Sequence, residues 1–126
     1  MIKVVKIGGN VVDKEQDLRS FCRDFAALEG PKVLVHGGGA VASQIQRDLG
    51  MEPQMIEGRR VTDEATLKIV SMVYAGWCNK HIVSLLQAEG CNAIGLAGCD
   101  GSVIKAQKRA PRTLLDGKTV VDYGFV

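Results

Sequence analysis

The sequence predicts an α/β fold: an open, mainly parallel sheet sandwiched by helices, with a β-hairpin lid. Two short apolar runs, residues 1–7 and 32–36, each end in consecutive glycines, and a helical pattern separates them. Glycine is also unusually frequent, at 15 of 126 residues, against an average of about 7%. With only three prolines and 46% hydrophobic residues, the chain is neither collagen-like nor disordered. We therefore interpret the glycines as turns within about one ordinary domain.

The first predicted helix connects the two strands. Asp13 and Gln16 form a capping-box pattern for its start, and Gly30-Pro31 ends it. Its inward face consists of apolar residues at helical spacing: Leu18, Phe21, Cys22, Phe25 and Ala26. Because a helix lies between them, the strands are expected to run parallel with a right-handed crossover. The first strand, residues 1–7, is expected to be buried on both faces.

A second helix is expected after the second strand, from Ala40 to a C-terminal cap at Gly50. Its apolar side consists of Val41, Ile45 and Leu49. The hairpin lid is predicted at residues 54–60, where Glu57-Gly58 can form the turn.

The remainder of the chain is less regular. Thr62 can cap a third helix, and Asn79 can begin a fourth. Their inward residues are predicted to be Leu67, Val70, Val73, Tyr74, Trp77, Ile82, Leu85 and Leu86. Residues 91–96 are a candidate third buried strand, and residues 103–108 are expected to pair with 119–126 as an antiparallel hairpin. Turns are expected at Asp100-Gly101 and Asp116-Gly117.

Composition excludes several classes of function. The formal charge is only +2 and aromatic residues are 5%, so nothing indicates nucleic-acid binding. No apolar run is long enough to cross a bilayer, and no signal peptide is recognisable. The four cysteines form no Cys-x-x-Cys pair, so we expect reduced, mostly buried thiols in a cytoplasmic protein, with no metal site. Residues 122–126 end the sequence on apolar residues, which suggests a chain that stops partway through a fold.

Glycines at the ends of both strands predict an anion site. Parallel strands end at one edge of a sheet, so the turns at Gly8-Gly9 and at residues 37–39 should line one crevice. Backbone N–H groups in such turns, with the N-terminus of the following helix, can bind phosphate or carboxylate. Lys6 ends an otherwise apolar strand, where an ammonium favours a nearby anion. Arg60, before a helix cap, could hold a carboxylate with two hydrogen bonds.

Each of these features also has a simpler interpretation. The turns could be tight connections without a ligand, Lys6 could extend to solvent from a sheet edge, and Arg60 could be solvated like the adjacent Arg59. His36 is interpreted as a hydrogen-bonding group at the strand end rather than as a base. A competing function is a dinucleotide-binding module, because Gly37, Gly39 and Ala42 match the fingerprint of that fold and Glu57 follows about twenty residues later.

Two other motifs are excluded. Gly117-Lys118-Thr119 resembles the end of a P-loop, but Arg112 stands where the first glycine is required. His36 followed by three glycines resembles the oxyanion strand of lipases, but the chain has no G-x-S-x-G nucleophile motif.

Five segments in register resemble the N-acetylglutamate kinases of the amino-acid kinase superfamily. The resemblance covers essentially the whole chain. The segments are residues 6–10 (KIGGN), 35–39 (VHGGG), 58–63 (GRRVTD), 79–80 (NK) and 95–101 (GLAGCDG).

The resemblance implies an enzyme of arginine biosynthesis that phosphorylates the side-chain carboxylate of an N-acylated glutamate with MgATP. Lys6 would stabilise the transferring phosphoryl group, and Gly8 and Gly9 would offer backbone N–H groups to the phosphates. Gly37 and Gly38 would hold the acceptor carboxylate. Arg60 would bind the α-carboxylate, with residues 54–60 as the lid.

Members of the resembled family are about twice as long, and their second half carries the nucleotide pocket. We therefore expect residues 1–126 to be an acylglutamate-binding N-terminal lobe that lacks the nucleotide-binding lobe and has no kinase activity alone. The resemblance also implies a homodimer, and it makes inhibition by arginine doubtful. A third possibility is a structural or regulatory half-protein that pairs with a separate partner chain.

Overall fold

A parallel pair of strands forms the centre of the molecule. The structure, a computed structural model, describes residues 1–125. Strand β1 (Lys3–Lys6) pairs in parallel with β2 (Lys32–Val35), and Lys6 lies opposite Val35. A short helix α1 (Gly9–Val12) and the longer α2 (Glu15–Ala27) connect the two strands. The predicted α/β architecture is therefore confirmed.

The remaining helices pack beside this unit. Helix α3 (Gly39–Asp48) follows β2, and α4 (Glu64–Ser71) continues directly through a π-helical segment (Met72–Cys78) into α5 (Asn79–Ala88). A 3₁₀ turn covers Asp100–Ser102. The core consists of the buried apolar residues of these elements: Ile7, Val12, Leu18, Cys22, Phe25, Ala42, Ile69, Val73, Cys78, Ile82, Leu85 and Leu86.

Two antiparallel hairpins complete the described chain. The first pairs β3 (Met55–Ile56) with β4 (Arg59–Arg60). Glu57 and Gly58 between them have φ of 47° and 73°, the left-handed pair that matches the twist of a hairpin. The second pairs β5 (Arg112–Thr113) with β6 (Val120–Val121). The predicted hairpin and its turn are confirmed, and its role as a lid stays a prediction.

The prediction that the first strand is buried on both faces is wrong. Val5 and Leu34 pack against the core, whereas Val4, Val33 and Val35 are exposed. Successive strand side chains point to opposite faces, so the helices cover one face of the pair in the described chain.

Two helix N-caps lie one residue after their predicted positions. The N-cap of α2 is Lys14, which makes no side-chain capping bond, and the Asp13 N–H instead donates to Gly9 O at 2.8 Å. Asp63, not Thr62, caps α4, because its carboxylate accepts from Thr66 N at 2.8 Å. Thr62 instead uses its backbone to bind residues 123 and 125.

Two predicted strands do not form. Residues 91–96 have no sheet partner among the described residues; side chains bind their carbonyls, since Lys80 Nζ donates to Gly95 O at 3.0 Å. Residues 103–108 do not pair with residues 119–125, because β5 lies closer to β6 along the sequence and pairs with it; residue 126 of that prediction lies outside the described residues. The Asp116 carboxylate closes that short loop by accepting from Lys118 N and Thr119 N, which confirms the predicted turn there.

Helix faces were predicted well where the helix is regular. The inward residues of α2 and α5 are as expected, and Gly50 follows α3 with φ of 74° as its cap. Trp77 and Leu49, predicted to face inward, are both 61% exposed. At Trp77 the π-helical segment is the reason, since its wider turns rotate the later residues away from the predicted face.

Candidate functional site

The two glycine turns lie together at one end of the strand pair. Ile7 N donates to Val35 O at 2.9 Å, so both strands end side by side and their turns begin there. The backbone N–H groups of Gly8, Gly9, Gly37 and Gly38 have no acceptor among residues 1–125. Unpaired N–H groups at a helix N-terminus are suited to an anion.

Gly38 is fixed by the helical layer behind it. It is buried at the N-cap of α3. A Cβ at this position would lie 2.9 Å from Tyr74 Cδ1 and 3.0 Å from Cys78 Sγ. Both neighbours come from the π-helical segment, a feature that often marks functional sites. Burial raises the pKa of the Cys78 thiol, so this cysteine stays neutral.

Arg60 extends from the hairpin to the N-terminus of α3. Its Nη2 donates to Gly39 O at 3.0 Å and to Ser43 Oγ at 2.7 Å, and its Nη1 donates to Gln46 Oε1. The guanidinium is half-buried, and no carboxylate within the described chain forms an ion pair with it. The structure therefore places an uncompensated cation beside the glycine turn. The adjacent Arg59 is exposed.

The residues that hold Arg60 were not predicted from the sequence. Gln46 is 1% exposed, and its Nε2 donates to Thr66 Oγ1 at 3.2 Å. The hydroxyl of Ser43 donates to Gly39 O at 3.0 Å. Their spacing could have indicated this cluster, because residues 39, 43 and 46 lie on one face of a helix. That face is polar, whereas the inward face predicted for α3 was its apolar one.

His36 lies between the turn and α5, as the sequence interpretation expected. Its Nδ1 lies 2.8 Å from Gly37 O and its Nε2 lies 3.3 Å from Asn79 Nδ2. A carbonyl can only accept and an amide nitrogen can only donate, so these partners assign the neutral tautomer with hydrogen on Nδ1. Asn79, which is buried, also donates to Leu96 O at 3.3 Å. His36 is thus a structural hydrogen-bonding group and is not oriented as a base.

Lys6 lies at the same end of the strand pair but in different surroundings from those expected. Its side chain is exposed, so the expectation that an apolar environment makes a nearby anion favourable is wrong. Its ammonium forms no hydrogen bond or ion pair with residues 1–125. Any role of Lys6 therefore depends on reach and charge rather than on desolvation.

A cavity of about 490 Å³ opens beside the hairpin. Its lining residues are Arg59, Arg60, Gln107, Arg109 and Tyr123. The glycine turns do not line this cavity, so Arg60 lies between it and the strand ends. Three arginines in one lining favour an anionic occupant, and the volume is in the range of small-molecule sites.

The competing dinucleotide interpretation loses support from this geometry. In that fold the glycine fingerprint follows the first strand, and the acidic residue follows the next parallel strand. Here the glycines follow β2, and Glu57 lies in an antiparallel hairpin, where its carboxylate accepts from Leu115 N at 3.2 Å.

Residues 1–125 hold neither a candidate metal site nor a candidate membrane span. No group of three or more His, Cys, Asp or Glu side chains is placed to hold a metal ion, and no helix has the length and hydropathy of a membrane span. All four cysteines are free: Cys22 and Cys78 are buried, Cys91 is half-buried and Cys99 is exposed.

The sequence is similar to known kinases over nearly its full length. The profile of the amino acid kinase family matches residues 1–123. The chain is 51% identical over 123 residues to the acetylglutamate kinase of Cytophaga hutchinsonii and 50% identical over 125 residues to that of Bacteroides fragilis. These alignments cover 98% and 99% of this chain but 44% and 45% of the relatives. The chain thus spans about half the length of the curated relatives it matches.

Solved structures agree on the fold. The structure of smu.665 from Streptococcus mutans matches with a TM-score of 0.58 at 27% identity, over 71% of this chain and 37% of that chain. N-acetylglutamate synthase from Neisseria gonorrhoeae, complexed with coenzyme A and L-arginine, matches with a TM-score of 0.53 at 21% identity. That match covers 96% of this chain and 30% of the synthase, and it supports the fold alone.

Proposed function

The chain belongs to the amino acid kinase family, and from this premise we propose that it forms the acceptor-binding lobe of an acetylglutamate kinase. In the proposed reaction, a side-chain carboxylate oxygen of N-acetyl-L-glutamate takes the γ-phosphoryl group of ATP, and ADP leaves. The observation that carries the acceptor half of this proposal is Arg60, a half-buried cation held beside the glycine turn without a counterion in the described chain.

Arg60 and the second glycine turn would bind the acceptor. Three of the five guanidinium N–H groups donate to the protein. The Nε–H and one Nη1–H remain, and because they point in different directions, one of them would donate to the α-carboxylate of the ligand. The unpaired N–H groups of Gly37 and Gly38 would hold the reacting carboxylate. A unit charge pair 4 Å apart near a protein surface interacts by about 4 kcal/mol before desolvation. We therefore expect removal of Arg60 to weaken binding by about 2–3 kcal/mol.

Lys6, Gly8 and Gly9 would serve the phosphoryl group. The exposed ammonium of Lys6 can reach charge that develops on the transferring phosphate, and the Gly8 and Gly9 N–H groups can donate to its oxygens. Phosphoryl transfer depends on positioning and charge stabilisation more than on covalent chemistry of the protein. This division assigns one glycine turn to each reactant.

Most of the MgATP site is proposed to lie outside residues 1–126. The chain corresponds to about 45% of each of two related acetylglutamate kinases, which supports assigning it one of the two substrates. We expect the isolated chain to bind acylglutamate weakly and to show no ATP turnover. Steady ADP release by the pure chain in a coupled assay would contradict this assignment.

Calorimetric titration with N-acetyl-L-glutamate tests the acceptor role. The wild-type chain should bind, Arg60→Ala should bind about 30- to 150-fold more weakly, and Arg47→Ala should bind nearly as wild type. Arg47 is the matched control because it is an exposed arginine on α3, the helix that Arg60 contacts, and it does not line the cavity. N-acetyl-L-glutamine, which lacks the side-chain carboxylate, should bind more weakly than N-acetyl-L-glutamate, and NAD should not bind. Equal affinity of the two arginine variants would overturn the assignment of Arg60.

Assembly and location stay predictions from the resemblance. These are a homodimer in the cytoplasm, acting on an N-acylated glutamate without nucleic acid or membrane. Sedimentation of the pure chain measures its oligomeric state directly. The alternative of a half-protein that pairs with a separate chain predicts that kinase activity appears when the second half of a related kinase is added.

A further inference from the structure

Gln46 is a buried amide whose two ends have different partners. It is 1% exposed, and its neighbour Thr66 is 6% exposed. The amide oxygen accepts from Arg60 Nη1, and the amide nitrogen donates to Thr66 Oγ1 at 3.2 Å. The guanidinium can only donate, so Arg60 sets the orientation in which the amide oxygen faces it. The Thr66 hydroxyl then accepts from the amide nitrogen, which would be costly to bury without a partner.

Every acceptor around Arg60 is electrically neutral. These acceptors are the carbonyl of Gly39, the hydroxyl of Ser43 and the amide of Gln46. Glutamate has nearly the same shape as glutamine, and at this position its carboxylate would pair with the guanidinium. The choice of an amide at position 46 therefore fixes the guanidinium in place but leaves its charge unneutralised.

We propose that Gln46, supported by Thr66, is a positioning residue that orients Arg60 without neutralising it, so that the full positive charge remains available to a carboxylate ligand. The identity of that ligand rests on the function proposed above, whereas the orientation of Arg60 does not. Gln46 need not touch the ligand, since its effect passes through Arg60.

Two substitutions separate charge from geometry. Gln46→Glu keeps the hydrogen bond to Arg60 and neutralises the guanidinium, whereas Gln46→Leu removes the acceptor. Both should weaken binding of N-acetyl-L-glutamate by about tenfold or more. Gln44→Glu is the matched control, because it makes the same charge change on the same helix at an exposed position; it should change the affinity by less than about twofold.

Nuclear magnetic resonance of the arginine side chains gives a readout that needs no ligand. A guanidinium held by three acceptors rotates slowly about its Nε–Cζ bond and should show separate Nη1 and Nη2 resonances, assigned by their loss in Arg60→Lys. These resonances should persist in Gln46→Glu and merge in Gln46→Leu. Thr66→Val should broaden them and Thr66→Ser should restore them, which provides a second test if Gln46→Leu does not fold.

The outcomes are distinguishable. If the wild-type chain does not bind N-acetyl-L-glutamate, the proposed function fails and the resonances alone decide the positioning role. If the wild type binds and Gln46→Glu binds equally well, the claim that Gln46 preserves the charge is overturned. If Gln46→Leu and Thr66→Val both leave the Arg60 resonances unchanged, the claim that Gln46 orients Arg60 is overturned.

Discussion

Gly38 tests whether the glycine turn depends on the helical layer behind it. Gly38→Ala adds one methyl group at the N-cap of α3. The prediction rests on the contacts that this methyl group would make. The new Cβ would lie 2.9 Å from Tyr74 Cδ1 and 3.0 Å from Cys78 Sγ, closer than carbon and sulfur atoms pack.

The magnitude follows from the rigidity of these neighbours. The tyrosine ring and the cysteine belong to a helical segment and cannot swing aside as the end of a lysine would. Overpacking of this kind typically costs about 1–3 kcal/mol. A chain of this size loses roughly 3–5 °C in Tm per kcal/mol, so the Tm should fall by about 3–15 °C. Affinity for N-acetyl-L-glutamate should also fall, because the shifted turn carries the N–H groups proposed to hold it.

Thermal unfolding followed by circular dichroism measures the effect. Gly37→Ala is the matched control, since a Cβ there would meet nothing within 4 Å, and it should leave the Tm nearly unchanged. Adding Tyr74→Ala to Gly38→Ala should recover about 1 kcal/mol or more relative to the sum of the single variants. Equal Tm values for Gly38→Ala and Gly37→Ala would refute the steric argument.

Three further predictions concern positions outside this turn. Gly124→Ala should lower the free energy of unfolding by more than about 3 kcal/mol, because Gly124 has φ of 77° and a Cβ there would lie 2.0 Å from Thr62 O. A urea unfolding curve measures this free energy. The hydrogen bond from Thr66 N–H lowers the pKa of Asp63. The ionised Asp63 carboxylate should therefore stabilise the fold above the ordinary carboxyl pKa near 4, and this stabilisation should be lost as the pH falls below that value. Asp63→Ala should therefore lower the Tm at pH 7 with a difference that shrinks at low pH, and Asp63→Asn, which can still cap, should lower it less. Burial raises the pKa of Cys22 to about 11, so in a timed reaction with a thiol reagent at pH 8 Cys99 should react first and Cys22 only after unfolding.

Features encoded in a few adjacent residues were predictable from the sequence. Glu57-Gly58 specifies a hairpin because glycine readily adopts the left-handed conformation that the turn requires. Gly50 ends α3 for the same reason. The inward face of α2 follows from spacing alone, since one helix face must cover the core. In each case the determining interactions are local.

Features that depend on distant partners were not predictable. Whether residues 91–96 form a strand depends on a neighbouring strand, and Lys80 and Asn79 bind carbonyls of that segment instead. The exposure of Trp77 depends on an extra residue per turn in the π-helical segment, which hydrophobic spacing does not reveal. Gln46 was missed because a polar residue on a helix is normally placed at the surface, and only Arg60 and Thr66 make its burial favourable.

The charge arrangement at the end of the strand pair explains why an anion is the expected occupant. The N-terminus of α3 carries about half a positive charge, and Arg60 adds a full one within hydrogen-bonding distance of Gly39. Neutral acceptors hold the guanidinium but do not cancel this charge, so the two positive groups repel each other in the unliganded site. A bound carboxylate would relieve that repulsion and pair with both groups at once. Ligand binding should therefore stabilise the fold, with a Tm that rises with ligand concentration as linkage requires, and the rise should be largely lost in Gln46→Glu, where a carboxylate is already in place.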